Sequence, residues 1–321
     1  MAKNASIFAA SQQPLTLALL VLPQSSILEV ASTLDPMRSA NRHLGHEAYR
    51  WRVVTPDGTA VPLTCGIELP SSGPLAAAEG ADALAVIAGF RQSEVATVPL
   101  IRDLARMAGR FAAVGGIDAA AWVLARAGLL AGHRATVHWE DLEDLAAAHP
   151  EVEVVPDRWV IDGNRFTAGG ASPAADLMLH LIGSRHGPAL ARQVAASFLT
   201  TPRPGSEPQI APAGPADSRL DPRVAQAVTR MESRIDAPET AAETARAIGL
   251  SPRRLETLFR AGLQTTPAAF ALSLRLQAAR RVITDTRHPL AEVALRTGFS
   301  SASTLSRAFR AQFGQPPSRL R

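Results

Sequence analysis

A single cysteine, Cys65, among 321 residues excludes an intramolecular disulfide and any multi-cysteine metal site. Taken alone it reads as a small core residue. Long apolar runs are missing too: the stretch 15–22 is among the longest, and a membrane helix needs about 20 apolar residues. Residues 1–13 hold one lysine and no apolar segment with a cleavage site, so no secretory leader is expected and the cytoplasm is the expected compartment. His43, His46, His180 and His186 stand without partners at metal-ligand spacing, so no metal and no other cofactor is expected.

Lysine is absent from residues 223–321, which carry 16 arginines against 7 acids, a net charge of +9. Residues 1–222 carry 17 basic and 22 acidic residues, a net of −5. A basic third of this kind suits a phosphate-binding surface. Charge alone does not separate DNA binding from a solvated basic face.

Six prolines (202, 204, 208, 212, 215 and 222) fall within 21 residues and bring no hydrophobic periodicity. Each lacks a backbone donor, so 202–222 is expected to be an exposed, semi-extended linker between a first domain, 1–201, and a second, 223–321. Upstream, short apolar runs at 15–22, 51–55, 83–88 and 111–114 alternate with helical patterns at 28–42, 99–108 and 119–127. The last of these strands is expected to end at Gly115-Gly116. Helices at 172–184 and 188–199 complete the domain. This alternation predicts an α/β, doubly wound parallel sheet. Downstream no strand is evident, and the second domain is expected to be all-α.

Two helix-turn-helix units stand in that second domain. The first, 240–261, turns at Gly249 and restarts at Ser251 with Pro252 in the first helical position. Its second helix is expected to bury Leu255, Leu258 and Phe259 and to expose Arg253, Glu256, Thr257 and Arg260. The other runs from a helix at 290–297 through Gly298-Phe299-Ser300 to a helix at 301–312, exposing Ser303, Ser306, Arg307 and Arg310. A helix of about 20 residues beginning at Pro267 joins them and spans roughly 30 Å. Successive major grooves on one face of double-stranded DNA lie about 34 Å apart. One glycine-turn helix pair is common in α-proteins; two on such a strut are far more specific.

Over nearly 100 residues this segment resembles the AraC/XylS family of transcription regulators. The matching residues include Ser251, Leu255, Phe259, Pro267, Arg275, Leu276, Ala279, Ile283, Ala294, Gly298, Phe299, Phe309, Gly314 and Pro317. The resemblance implies that Arg253, Glu256 and Thr257, then Ser303, Ser306 and Arg307, read bases. It implies RNA polymerase and a second copy of the chain as further partners. Thr257 stands where an arginine is common, and Thr304-Leu305 where an aromatic pair is, so the operator is not legible.

The first domain resembles the ThiJ/PfpI-like, class I glutamine amidotransferase-like domain fused to some of these regulators, best over WVLARAGLLAGHRATVHW (122–139). LDPMRSAN (34–41) and YRWRVVTPDG (49–58) are shared with regulators of glycine betaine, carnitine and arginine catabolism. Enzymes of the fold carry a cysteine nucleophile at the strand-to-helix turn, where this chain has Asp118. His138 matches the histidine position, and Glu29, in the first strand-to-helix connection, the acidic one. The resemblance thus implies a retained pocket without its nucleophile, hence a sensor rather than an enzyme. Two carboxylates beside Trp122 and Trp139 favour a small cationic or quaternary amine, or an amino-acid derivative, as effector. Each element has a plainer reading: tryptophans pack cores, His138 can be a satisfied core histidine, and Asp118 can meet a helix dipole. The rival function is a ThiJ/PfpI-type hydrolase or amidase with an attached DNA-binding module. A ligand-independent architectural DNA binder is a third.

Overall fold

The computed structural model describes residues 6–209, 221–286 and 288–320. The chain divides into two compact units, Met1–Ala211 and Pro212–Arg321. No helix among the described residues is long and apolar enough to cross a membrane.

The first unit is built on a six-stranded sheet: β1 (Leu15–Val21), β2 (Tyr49–Val54), β3 (Ala83–Ala88), β4 (Ala113–Asp118), β5 (Trp159–Asp162) and β6 (Arg165–Ala168). Their order is β2-β1-β3-β4-β6-β5, parallel except for β5, which pairs antiparallel with β6 at the edge. Strands β1, β3 and β4 have apolar residues on both faces because helices cover both. One core lies beneath α1 (Ile27–Leu44), α4 (Ala171–His186) and α5 (Pro188–Ser197), around Met37, Phe166, Leu177 and Leu181. The other gathers Leu100 and Leu104 of α2 (Val98–Ala108) and Val123 and Leu124 of α3 (Ala120–Arg126). The doubly wound α/β architecture is therefore present.

Three features depart from expectation. Strand β4 does not stop at Gly115-Gly116 but runs through both to Asp118. A Cβ at Gly115 would fall inside the Phe166 ring, and one at Gly116 would lie 3.0 Å from Ala120 and Leu124. These glycines serve close packing on the two faces of a strand, not a turn. Strands β5 and β6 had no sequence counterpart; they form a hairpin about Gly163-Asn164, with Gly163 at φ +59°. Cys65 is exposed, not core, because Thr64-Cys65-Gly66 sits between the paired segments Val61–Pro62 and Glu68–Leu69.

The proline-rich stretch departs as well. Residues 210–220 lie outside the described residues. Residues 202–209, expected to be exposed linker, lie against the first unit: the Arg158 N–H donates to Gly205 O (2.8 Å) and Glu207 O (3.0 Å), and Gly205 is buried against Trp159.

The described part of the second unit is helical throughout: α6 (Pro222–Glu232), α7 (Ala241–Ala247), α8 (Pro252–Leu263), α9 (Pro267–Asp285), α10 (Leu290–Arg296), α11 (Ala302–Phe313) and a closing turn at Pro317–Leu320. Helix α9 carries two separate cores. Phe270 packs with Leu255, Phe259, Val224 and Val228, while Leu276, Ala279 and Ile283 pack with Val293, Phe299, Leu305 and Phe309.

Candidate functional site

Asp118 ends β4 at the carboxyl edge of the parallel strands and holds φ +60°, a region that Asp tolerates better than most L residues. Helix α3 starts two residues later. This strand, left-handed residue and helix in succession aim one side chain out of the top of the sheet, the geometry of a nucleophile elbow. Glu29 approaches from α1. It lies in the helix's first turn rather than in the connection before it, fixed by a capping box in which the Ser26 N–H donates to its Oε2 (3.3 Å).

The Glu29 and Asp118 carboxyls lie close enough to share a hydrogen bond, which two carboxyl groups can form only when one is protonated. Burial, then the neighbouring Asp118 charge, push Glu29 up to about 9. Burial also raises Asp118, opposed by His138 and by the Glu29 hydrogen bond. Burial thus pushes both carboxyls towards the neutral form, and their hydrogen bond favours the proton on Glu29. Apart from the proton shared with Glu29, no donor among the described residues reaches the buried Asp118 Oδ1. An unpaired buried carboxylate oxygen is costly unless a ligand or water meets it.

The linkage has a definite sign. Because the folded pKa of Glu29 exceeds its ordinary 4.5, its contribution to the stability of the first unit is fullest below that value and is lost as pH rises towards about 9. Glu29→Gln keeps a donor towards Asp118 without the titration. Its melting temperature is expected to decline less steeply between pH 6 and 9 than that of the wild type, by several degrees over the range; parallel slopes in a thermal melt series would contradict the shared proton.

Three further groups surround the elbow. His138 is half exposed, with Nδ1 3.7 Å from Glu140 Oε2, and its ring lies 5.6 Å from that of Trp139. Trp122 turns its Nε1–H to Asp141 Oδ2 (3.1 Å) and sets its ring edge-on to His149 at 6.0 Å. Asp141 is pushed up to about 6 by burial, against the Trp122 hydrogen bond and with the Asp118 charge adding. The structure therefore brings Asp118, Glu29 and His138 together. It gives Trp122 a partner that sequence reasoning missed, although the acidic pair Glu140-Asp141 beside His138 was there to be seen.

In the second unit, Ser251 caps α8 through Oγ to the Arg254 N–H (3.2 Å), and Ser301 caps α11 to the Thr304 N–H (3.2 Å). Arg253, Glu256, Thr257 and Arg260 are exposed on α8; Ser303, Arg307 and Arg310 are exposed on α11, with Ser306 half-buried. Arg260 pairs with Glu256 at 2.9 Å, so part of that face neutralises itself in the free protein. Thr257 Oγ1 donates back to Arg253 O, and the Ser303 hydroxyl lies 3.0 Å from that of Ser301. Arg275 of α9 donates to Thr297 O (2.9 Å) and Gly298 O (2.5 Å), with its guanidinium 4.1 Å above the Phe299 ring. It clamps the second turn onto the strut. At Gly298, φ +68°, a Cβ would sit 2.5 Å from Ile235 O, so the first half's loop closes over the second half's turn.

The DJ-1/PfpI family matches residues 16–184, and the helix-turn-helix domain family matches residues 244–321. The HTH-type transcriptional regulator CdhR of Pseudomonas aeruginosa is 37% identical over 94% of this chain and 90% of its own. The chain belongs to the AraC-type transcriptional regulators that carry a DJ-1/PfpI domain. The regulator GbdR of the same species is 32% identical over 96% of this chain and 84% of its own. The crystal structure of an AraC family transcriptional regulator from Pseudomonas putida superposes with a TM-score of 0.53, 27% identical over 58% of this chain and all of that one. A regulator of this type binds DNA through its helix-turn-helix unit, and the elbow of its DJ-1/PfpI domain is the candidate effector site.

Proposed function

We propose that this regulator senses a small organic cation, a quaternary amine or an amino-acid derivative with a positive end, at Asp118, and that occupancy alters its activation of catabolic genes. The observation that carries this reading is the buried Oδ1 of Asp118, which no N–H or alcohol group among the described residues meets, beside the Glu29 carboxyl. A positive group supplies the partner it lacks, and Trp139 beside His138 offers an aromatic face for it. Trp122, whose N–H is committed to Asp141, shapes the wall instead. The same aspartate argues against a hydrolase, since a carboxylate with a raised pKa at the elbow lacks the nucleophilicity of a thiolate. Arg253 and Arg307 are the base-reading arginines by exposure and helix position, supported by Thr257, Ser303, Ser306 and Arg310, while Glu256 and Arg260 open their pair on meeting DNA. RNA polymerase and a second copy of the chain complete the assembly at the promoter.

Thermal melting against glycine betaine, carnitine, choline, dimethylglycine and arginine tests the pocket. One of these is expected to raise the melting temperature by several degrees and to lose that effect in Asp118→Ala. A shift that survives Asp118→Ala would move the site elsewhere.

A further inference from the structure

Residues 202–209 are the last described residues before the stretch that leads to the second unit, and they are strapped down at both ends. At the first end the Arg203 N–H donates to Asp176 Oδ1 (3.1 Å), and Trp159 Nε1–H donates to Arg203 O (3.3 Å). Asp176 is itself held by Arg158 at 2.8 Å, each side chain only 6% exposed. Midway, Gly205 and Glu207 accept from the Arg158 N–H, and Arg203 pairs with Glu207. At the far end Gln209 makes the closing contacts. Its N–H donates to Pro156 O (2.9 Å), and its side-chain nitrogen lies 2.9 Å from Thr136 Oγ1, 2.8 Å from Val137 O and 3.1 Å from Asp157 O, three acceptors for two protons.

Gly169 is where the sequence makes room for this anchor, since a Cβ there would strike the Gln209 amide. The next residue, Gly170, stands against the His138 ring, 3.9 Å from its own would-be Cβ. Val137, whose carbonyl Gln209 holds, precedes His138 in the chain. The anchor and the candidate effector site therefore share one three-residue segment, 136–138, at the carboxyl edge of the sheet.

We infer that the strap is the output of the effector site: a cation at Asp118 shifts His138 and the segment behind it, and Gln209 lets go. The inference rests on the cation-pocket reading above. Release frees up to eight residues, and an extended chain adds about 3.3–3.6 Å for each, so the tether gains about 25 Å of reach. The signal is thus a change of tether length, requiring no new contact. Linkage makes the coupling reciprocal: whatever weakens the anchor also changes the affinity for the cation.

Amide hydrogen exchange in the full-length protein reads the strap directly, through the Gln209 and Arg158 N–H groups. Gln209→Ala is expected to speed Arg158 exchange by about five- to ten-fold, the worth of one lost hydrogen bond or slightly more. Whichever of glycine betaine, choline or arginine raises the wild-type melting temperature is expected to speed exchange of both amides in the wild type. In Gln209→Ala it should still raise the melting temperature and leave Arg158 exchange where the substitution put it. A cation that stabilises the protein while both amides keep their wild-type rates overturns the strap and leaves the pocket standing. Should neither these three nor carnitine nor dimethylglycine bind, the pocket reading fails, and Asp118→Asn decides the strap separately. Altered Gln209 exchange in that variant keeps the coupling; an unchanged rate overturns it.

Discussion

Asp176→Ala is expected to destabilise the first unit by about 3–5 kcal/mol, because it strands the Arg158 guanidinium where water barely reaches. The carboxylate takes both Nε and Nη2 of Arg158 on Oδ2 and the Arg203 N–H on Oδ1, so three donors lose their acceptor at once. The remaining hydrogen bond from Nη2 to Ser172 cannot neutralise the charge. Tryptophan fluorescence in a urea titration measures this cleanly, since Trp51, Trp122, Trp139 and Trp159 all belong to the first unit. Removing both partners, as Arg158→Met with Asp176→Leu, should return most of the lost stability, since the penalty comes from the unpaired charge. A single-variant loss below about 1 kcal/mol would mean that water reaches the pair freely.

Phe309→Ala should act on the other unit with a comparable magnitude and a larger functional effect. Phe309 is wholly buried in a core of about a dozen side chains that the rest of the molecule does not share. Emptying it costs about 3–5 kcal/mol, a large part of what so small a core supplies. The second helix-turn-helix is then expected to melt while α8 keeps its own core around Phe259. On a duplex selected from random DNA by the wild type, affinity should fall by at least about 10³, to the non-specific level. The cation-dependent thermal shift of the first unit should survive. Retained tight binding by Phe309→Ala would show that one half suffices for recognition.

The two helix-turn-helix units and the helix joining them were legible to within a few residues, though α6 was not, because their punctuation is chemical: Ser251 and Ser301 cap where serine should, and Gly249, Gly298 and Gly314 take positive φ where the turns require it. Two exposed positions, Glu256 and Arg260, were foreseen, but their mutual pairing was not, though their i, i+4 spacing allows it. Most of the α/β alternation could likewise be read from apolar runs, whereas the sheet order could not. Where reading failed, a residue type served a second purpose. Gly115-Gly116 signals a turn in sequence, but in space Gly115 answers a bulky Phe166 some 50 residues away and Gly116 the helix that follows. The β5–β6 hairpin was visible in Asp162-Gly163 but masked by its irregular flanks. At the site, resemblance supplied Asp118, Glu29 and His138, yet nothing local announces that Glu29 and Asp118 share a proton, since that arises from burial by distant segments. The prolines of 202–208 are the clearest instance. They do forbid helix and sheet, but an irregular segment can still be docked by side chains, as Gln209 and Arg203 show.

With both halves reading bases as proposed, helix α9, rooted in both cores, would make the DNA-binding unit a rigid bivalent reader. Once either half has found its groove, the other is held at an effective concentration set by the helix rather than by the solution, so two modest contacts combine into one firm one. The same stiffness removes tolerance. A jointed pair could follow half-sites that drift apart by a few base pairs, whereas α9 accepts one phase and one separation. On that reading operator spacing would be written into the length of a single helix, and the proposed effector would need only to decide whether that ruler is delivered to the promoter.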